Sequence, residues 1–380
     1  MLYRFKYILP TRSVKCLASG RAPVRTATKI VDWTMSLFRF VRVIGIFSLT
    51  IAGMSDAQGQ TVRKEAAIAI ERSFPAEKDD VILSQPARIN VCGHDLIVSD
   101  VQQSALFRYT TEGEFKEMLR SPGQGPTDFL LTSSFACSHN RIFIVDHSNF
   151  RIQMFDMDFN HIDSFLIPAM VGNDAVATSS SLFLGDLRTV GSGAISEYAY
   201  DGTPKSRAGE YISVAPSELR RLLTRYRFAL SNDSLFALSL HYPQILVIDL
   251  QTRAEKLVDL DGPDYSDRAE GNYTWSKFKP DSRVISTTYL FRALAVADEG
   301  IYVGIYSRSG LIIDLFTRSG SFVQRFTSAK LRNLDGFYLT DFTLGPVADG
   351  RRTLYVVSNN PFPQVSVVSV PVVGVDSISK

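Results

Sequence analysis

Six times between about residues 86 and 370 the chain repeats one shape: an apolar run, a polar turn, and a second apolar run, often closed by a second turn. D-L-I-V-S-D-V-Q-Q-S-A-L-F-R-Y-T-T-E-G-E-F (95–115) aligns with R-I-F-I-V-D-H-S-N-F-R-I-Q-M-F-D-M-D-F-N-H (141–161). The shape returns at 181–202, 234–250, 300–320 and 353–368. A period of ~48 residues is that of a four-stranded propeller blade. A sheet apolar on both faces cannot stand alone, and stacking six such sheets around an axis buries every face. No capping segment of the kind a solenoid needs is evident at either end. The prediction is an all-β fold, a six-bladed β-propeller of four-stranded blades over residues 86–374.

Only two short stretches carry a helical pattern, T-V-R-K-E-A-A-I-A-I-E-R-S-F (61–74) and S-E-L-R-R-L-L-T-R-Y (217–226). The sixth copy supplies three strands before the tail 375–380. Within the N-terminal segment 58–85, D-D-V-I-L-S-Q (79–85) is therefore expected to complete the sixth blade as its outer strand and latch the ring. Val372–Val375 is the alternative.

S-P-G-Q-G-P-T-D-F (121–129), followed by I-V-D-x-x-N-x-R-I-x-x-F-D (144–156), resembles the NHL-repeat and TolB-like six-bladed propellers. It is most similar to a secreted bacterial group with a G-x-G-P-x-[DE]-F element between blades. The similarity is sharp over about residues 86–165. It implies the fold and hardly any activity, because propellers host many unrelated functions.

The element itself reads as a stiff crossover from blade 1 to blade 2. Gly123 and Gly125 are expected to supply positive φ, Pro126 to fix its own φ, and Asp128 to bond neighbouring amides, with Phe129 tucked under the next blade. A phosphate loop would need a following helix and Lys-Ser/Thr, which are missing. Asp146 and Asn149 read as turn formers, with Arg151 reaching across the turn. Asp146 and His147 point to opposite sides of one strand, and Asp156, Asp158 and Asn160 lack the Gly and Glu of a calcium loop, so neither set predicts a metal. Cys92 and Cys137 fall at matching ends of neighbouring inner strands, an expected ~8 Å apart, beyond disulfide reach. Two reduced, buried thiols are the expectation.

Topology, more than any motif, marks a functional surface. Crossovers and second-to-third-strand turns share one face, which is expected to carry Asp100, His147, Arg188, His241, Tyr242, Tyr306, Arg308, Asn359 and Asn360. The longest crossovers are 206–226 and 261–283, and the second holds Tyr265, Tyr273, Trp275 and Phe278. Trp275 either presents to a ligand or packs against blades 4 and 5. The face suits a protein, peptide or glycan partner. The runner-up function is a metal-dependent hydrolase or lyase in the central channel. Inner strands read as R-I-N-V-C, S-S-F-A-C, A-V-A-T, F-A-L-S, A-L-A-V-A and D-F-T-L-G supply Asn90 and Asp341 but no His or Glu, which favours binding without catalysis, metal or cofactor.

Charge separates a leader from a body. Residues 1–34 carry seven Lys/Arg against one Asp, and residues 35–57 two against one, so a chain of net charge +2 leaves −5 for residues 58–380. The body therefore offers nothing to nucleic acid. From Met35 a short cationic region, twelve apolar residues and a small-x-small site at Ser55 and Ala57 form the order of a secretory signal peptide (35–57). Twelve apolar residues are too few to span a bilayer, which takes ~20. Export to the periplasm or cell exterior is expected, with Met35 as the start, residues 1–34 an upstream extension, and no lipid anchor.

Overall fold

In the computed structural model the described residues are 65–76, 80–130, 132–138, 140–169, 171–188, 193–210, 223–273, 289–307, 310–328, 339–359 and 362–373. The predicted signal peptide and leader lie outside them. Two strands precede the repeats, β1 (Glu65–Ile68) and β2 (Ile70–Phe74). Blade 1 is β3 (Pro86–Cys92), β4 (Asp95–Asp100), β5 (Ala105–Thr110) and β6 (Phe115–Arg120). Blade 2 is β7 (Phe135–Ser138), β8 (Arg141–Asp146), β9 (Arg151–Asp156) and β10 (His161–Leu166). Blade 3 is β11 (Val171–Ala177), β12 (Leu182–Asp186), β13 (Ile195–Tyr198) and β14 (Pro204–Ala208). Blade 4 is β15 (Tyr226–Ser231), β16 (Ser234–Ser239), β17 (Gln244–Asp249) and β18 (Glu255–Asp259). Helix α1 (Tyr265–Tyr273) leads towards blade 5, which is β19 (Phe291–Ala297), β20 (Gly300–Ile305), β21 (Ile312–Phe316) and β22 (Phe322–Ser328). Blade 6 begins with β23 (Leu339–Ala348), β24 (Arg351–Ser358) and β25 (Gln364–Pro371).

Each blade is an antiparallel meander in sequence order, and the inner strands touch in succession until β23 returns to β3. The protein is a six-bladed β-propeller. The second strand of each copy explains why the ring holds. It is buried on both faces, so alternate residues feed opposite blade interfaces. Leu96 and Val98 of β4 enter the core between blades 6 and 1, while Ile97 enters the core between blades 1 and 2. Ile142 and Ile144 of β8 join Ile97, and Phe143 and Val145 face blade 3. In β24, Leu354 and Val356 face blade 5, and Tyr355 and Val357 face blade 1. Each such side chain, fully buried, contributes about 1.5–3 kcal/mol. Outer strand β6 instead mixes exposed and half-buried positions along F-K-E-M-L-R.

Closure differs from the sequence-based expectation. The outer strand of blade 6 is β2, paired antiparallel with β25 from Ile70 opposite Val368 to Phe74 opposite Val365. Residues 80–85 form no strand; Leu83 is buried in the core between blades 6 and 1, and the Ser84 and Gln85 amides donate to Asp100 Oδ2. Val372 bonds the Gly350 carbonyl after β25 has ended, which leaves the alternative latch unused as well. The helix expected over 61–74 is thus replaced, in its described part, by two strands. Ala66 and Ile68 sit on the core between blades 5 and 6, and β1 adds a parallel fifth strand to β22. Open strand edges on blades 5 and 6 supply backbone partners that override a weak local propensity. Of the second helical stretch, Leu223 and Tyr226 are described and buried, and Tyr226 opens β15.

Cys92 and Cys137 are bonded to each other, with Cα atoms 5.9 Å apart, contrary to the expectation of separated thiols. Inner strands β3 and β7 approach more closely than a regular spacing of blades implies. The Asn90 side-chain amide reaches the Phe135 carbonyl at 3.4 Å across the same gap.

Candidate functional site

The glycine–proline element is a hydrogen-bonded knot. Asp128 accepts from Ser121 Oγ (2.8 Å) and the Gly125 amide (2.9 Å), and these bonds hold its carboxyl below the usual range. Gly123 and Gly125 have ordinary φ, not the positive values expected. They are glycines because a Cβ would lie 2.2 Å or 2.7 Å from Asp128 Oδ2. From blade 2, Arg151 donates to the carbonyls of Gly125 and Asp128 (both 2.6 Å) and to Asp146 Oδ2 (2.9 Å). Gln153 reaches the Pro126 carbonyl (2.9 Å), and Asn149 the Gly123 carbonyl (3.0 Å). Phe129 is buried in the core between blades 1 and 2. The whole element serves to weld two blades.

Arg88 and Asp341 lie in the inner-strand runs R-I-N-V-C and D-F-T-L-G, and the channel axis joins them in a charge network that those runs do not show. Arg88 of β3 ion-pairs with Asp174 of β11 and, at 3.3 Å, with Asp341 of β23, so one side chain spans from blade 1 to blades 3 and 6. Asp174 also accepts from the Phe228 amide of blade 4 (2.7 Å) and from Ser134 Oγ (3.4 Å). Arg227 of β15 lies 3.9 Å from Asp174 and donates Nε to the Arg292 carbonyl of blade 5 (2.7 Å). Burial, against the attraction of Arg88 and Arg227, pushes the Asp341 carboxyl up. Burial and then repulsion by Arg88 push Arg227 down to about 10. The inner strands of blades 3, 4 and 5 begin before the apolar runs A-V-A-T, F-A-L-S and A-L-A-V-A, and those first residues contribute Asp174, Arg227 and Arg292. A charged residue early in the inner strands of blades 1, 3, 4, 5 and 6 was the available signal.

At the crossover end of this axis, Arg225 Nη1 donates to Tyr289 Oη (3.1 Å). The Arg292 guanidinium lies 4.6 Å from the Tyr289 ring centre and 4.7 Å from that of Tyr306. His241 stacks on Tyr289 at 4.6 Å. The mouth is thus cationic and aromatic. Among the described residues no group of three or more His, Cys, Asp or Glu is placed to hold a metal ion.

Several residues expected on an accessible face are elsewhere. Asp100, His241 and Tyr242 are buried, so they cannot line an open surface. Asp100 ends β4 and ties down the 84–85 backbone, as Asp146 at the end of β8 ties down the Leu130 amide (3.0 Å). Ser239 takes the same position in blade 4 and accepts from the His241 and Tyr242 amides. Arg188 is half-exposed and forks onto Asp186, which also holds Arg207. His147 and Asn359 are half-buried, and burial lowers the His147 pKa despite neighbouring Asp146. Tyr265 is a buried anchor of α1 whose Oη donates to Asp314 Oδ2 at 2.7 Å. Trp275, Phe278, Arg308, Asn360 and the side chain of Tyr273 lie outside the described residues.

A family described as a 6-bladed beta-propeller matches residues 76–183. No curated protein matches. Among solved structures, a candidate exported protein from Bacteroides fragilis is 12% identical, with 80% of this chain and 94% of that chain covered and a TM-score of 0.50. The WD40 repeats of RRP9 are 9% identical over 80% of this chain and all 100% of theirs, with a TM-score of 0.51. At such identities the likeness is one of fold. Among the described residues no helix is long and apolar enough to cross a membrane.

Proposed function

We propose that this chain is an exported, non-catalytic propeller that binds a protein, peptide or glycan partner through its crossover face. The observation that carries the reading is the pairing of both axial carboxylates. Asp174 and Asp341 are engaged by Arg88, so the described channel presents guanidinium groups where a metal-dependent hydrolase or lyase gathers open oxygen and nitrogen ligands. The two longest crossovers of the sequence join blade 3 to blade 4 and blade 4 to blade 5, next to the inner strands that carry Arg227 and Arg292, and Trp275 belongs to the second. Long loops on a rigid ring are where binding residues concentrate.

Export is supported by the order of segments from Met35 to Ala57 and by the Cys92–Cys137 disulfide, which persists in oxidising compartments. The G-Q-G-P-T-D-F knot supports placing the chain beside the NHL-repeat and TolB-like propellers. Metal content of the chain purified without added metal or chelator tests the function. The expected result is no stoichiometric divalent ion and no turnover of lactones or phosphoesters, together with loss of partner capture in Trp275→Ala. A stoichiometric metal that supports such turnover would replace this reading with the channel enzyme.

A further inference from the structure

Resting on the binding reading above, we infer that the channel mouth beside blades 4 and 5 is a subsite for a carboxylate of the ligand, built from Arg225, Arg227 and Arg292 against Tyr289 and Tyr306. R-Y-R at 225–227 spaces two arginines by two residues where β15 begins, which puts both side chains on one side of the chain. Arg227 approaches Asp174 on the axis (3.9 Å), and Arg225 meets Tyr289 Oη (3.1 Å). Arg292, on the neighbouring inner strand, packs its guanidinium against the rings of Tyr289 and Tyr306. Stacking of this kind orients the guanidinium plane.

Among the described axial residues the guanidiniums of Arg88, Arg225 and Arg227 accompany two carboxylates, Asp174 and Asp341, and Arg88 takes the closest contacts of both. Burial, and after it the neighbouring Arg88 charge, depresses Arg227 to about 10 against the attraction of Asp174 and Asp341. A carboxylate arriving beside Arg227 offsets the Arg88 repulsion. The channel already displays the preferred chemistry, since every carboxylate described on its axis is paired with guanidinium. A planar carboxylate matches the guanidinium fork with two parallel hydrogen bonds.

Calorimetric titration of the purified chain tests this with five probes: trigalacturonate, triglutamate, inorganic phosphate, and two neutral probes without a carboxylate, maltotriose and triglutamine acetylated at its N-terminus and amidated at its C-terminus. The expected result is binding of a carboxylate probe and not of its neutral counterpart, with affinity falling as salt rises. Trigalacturonate or triglutamate as the tighter probe identifies a sugar or a peptide source. Arg225→Gln should weaken that binding about tenfold or more at an unchanged thermal midpoint, with Arg225→Lys restoring only part of it. If Arg225→Gln does not fold, Arg292→Lys keeps the charge, loses the fork and should still weaken binding several-fold. Equal affinity for neutral probes, tighter binding of phosphate, or unchanged affinity in the folded Arg225→Gln or Arg292→Lys protein overturns the inference. Binding of neutral glycan or peptide at the crossover face with no carboxylate preference would end this inference alone. Metal-dependent turnover would end the binding reading beneath it.

Discussion

Single residues in this ring are chosen by how closely neighbouring blades approach. Gly320, in the last turn of blade 5, has φ +93°, and a Cβ there would lie 2.0 Å from the Asp259 carbonyl oxygen of blade 4. Gly202 meets Phe165 of blade 2 in the same way, so the turn glycines of the repeat are packing points between blades. Gly320→Ala is expected to cost roughly 2–3 kcal/mol, read as a lowered midpoint in urea with the slope unchanged. A substitution that leaves the midpoint in place would show that the turn can back away from blade 4. The repeat made Asp201-Gly202 and Ser319-Gly320 visible as turns in the sequence. It could not show that Gly320 faces the backbone, and Gly202 a phenylalanine side chain, of another blade.

The element that closes the ring was misread for a reason that applies generally to sequence periodicity. E-A-A-I-A-I-E-R-S-F suits a helix locally, but it becomes β1 and β2 because blades 5 and 6 each leave an outer edge unpaired. A chain beginning at Ala76 should therefore lose its single cooperative unfolding transition, while one beginning at residue 58 keeps it; calorimetry of the two compares them directly. The disulfide acts between blades 1 and 2 at the inner-strand ends. Its partners are 45 residues apart in sequence, so losing the cross-link by Cys92→Ser with Cys137→Ser should lower stability by about 2–4 kcal/mol. Thiol alkylation before and after reduction reports whether the pair is bonded in the purified protein. Free thiols without reduction would remove this link between blades.

At the scale of the molecule, stability is set by six interblade cores and tuned by buried ion pairs. Asp186, Glu197 and Glu299 lose ground to burial but are held below their usual pKa by hydrogen bonds with Arg188, Ser206 and Arg352 respectively. Lowered carboxylates stabilise the fold above their unfolded pKa, about 4, and that contribution is lost as pH falls through the folded values. Asp341 runs the other way: burial raises its pKa, so its share favours the fold at low pH and fades as pH rises through the raised value. Several lowered carboxylates against the raised Asp341 predict a thermal midpoint that is level near neutrality and drops below about pH 4, with Glu299→Gln flattening part of the drop. A midpoint that rises on acidification would mean that Asp341 dominates.

What the sequence determined by itself was the repeat and, through it, the ring. Six copies of a strand apolar on both sides call for an arrangement in which both faces of every sheet are covered. The knot at residues 121–129 was equally legible as a crossover from its glycines and proline, although its bonds to Asn149 and Gln153 of the next copy were not. The tertiary structure alone decided the latch, the disulfide and the axial arginines. Each depends on residues brought together from distant blades: Phe74 with Val365, Cys92 with Cys137, Arg88 with Asp174 and Asp341. Local spacing carries no record of such meetings, since the distance between two blades at the axis is set by how all six pack.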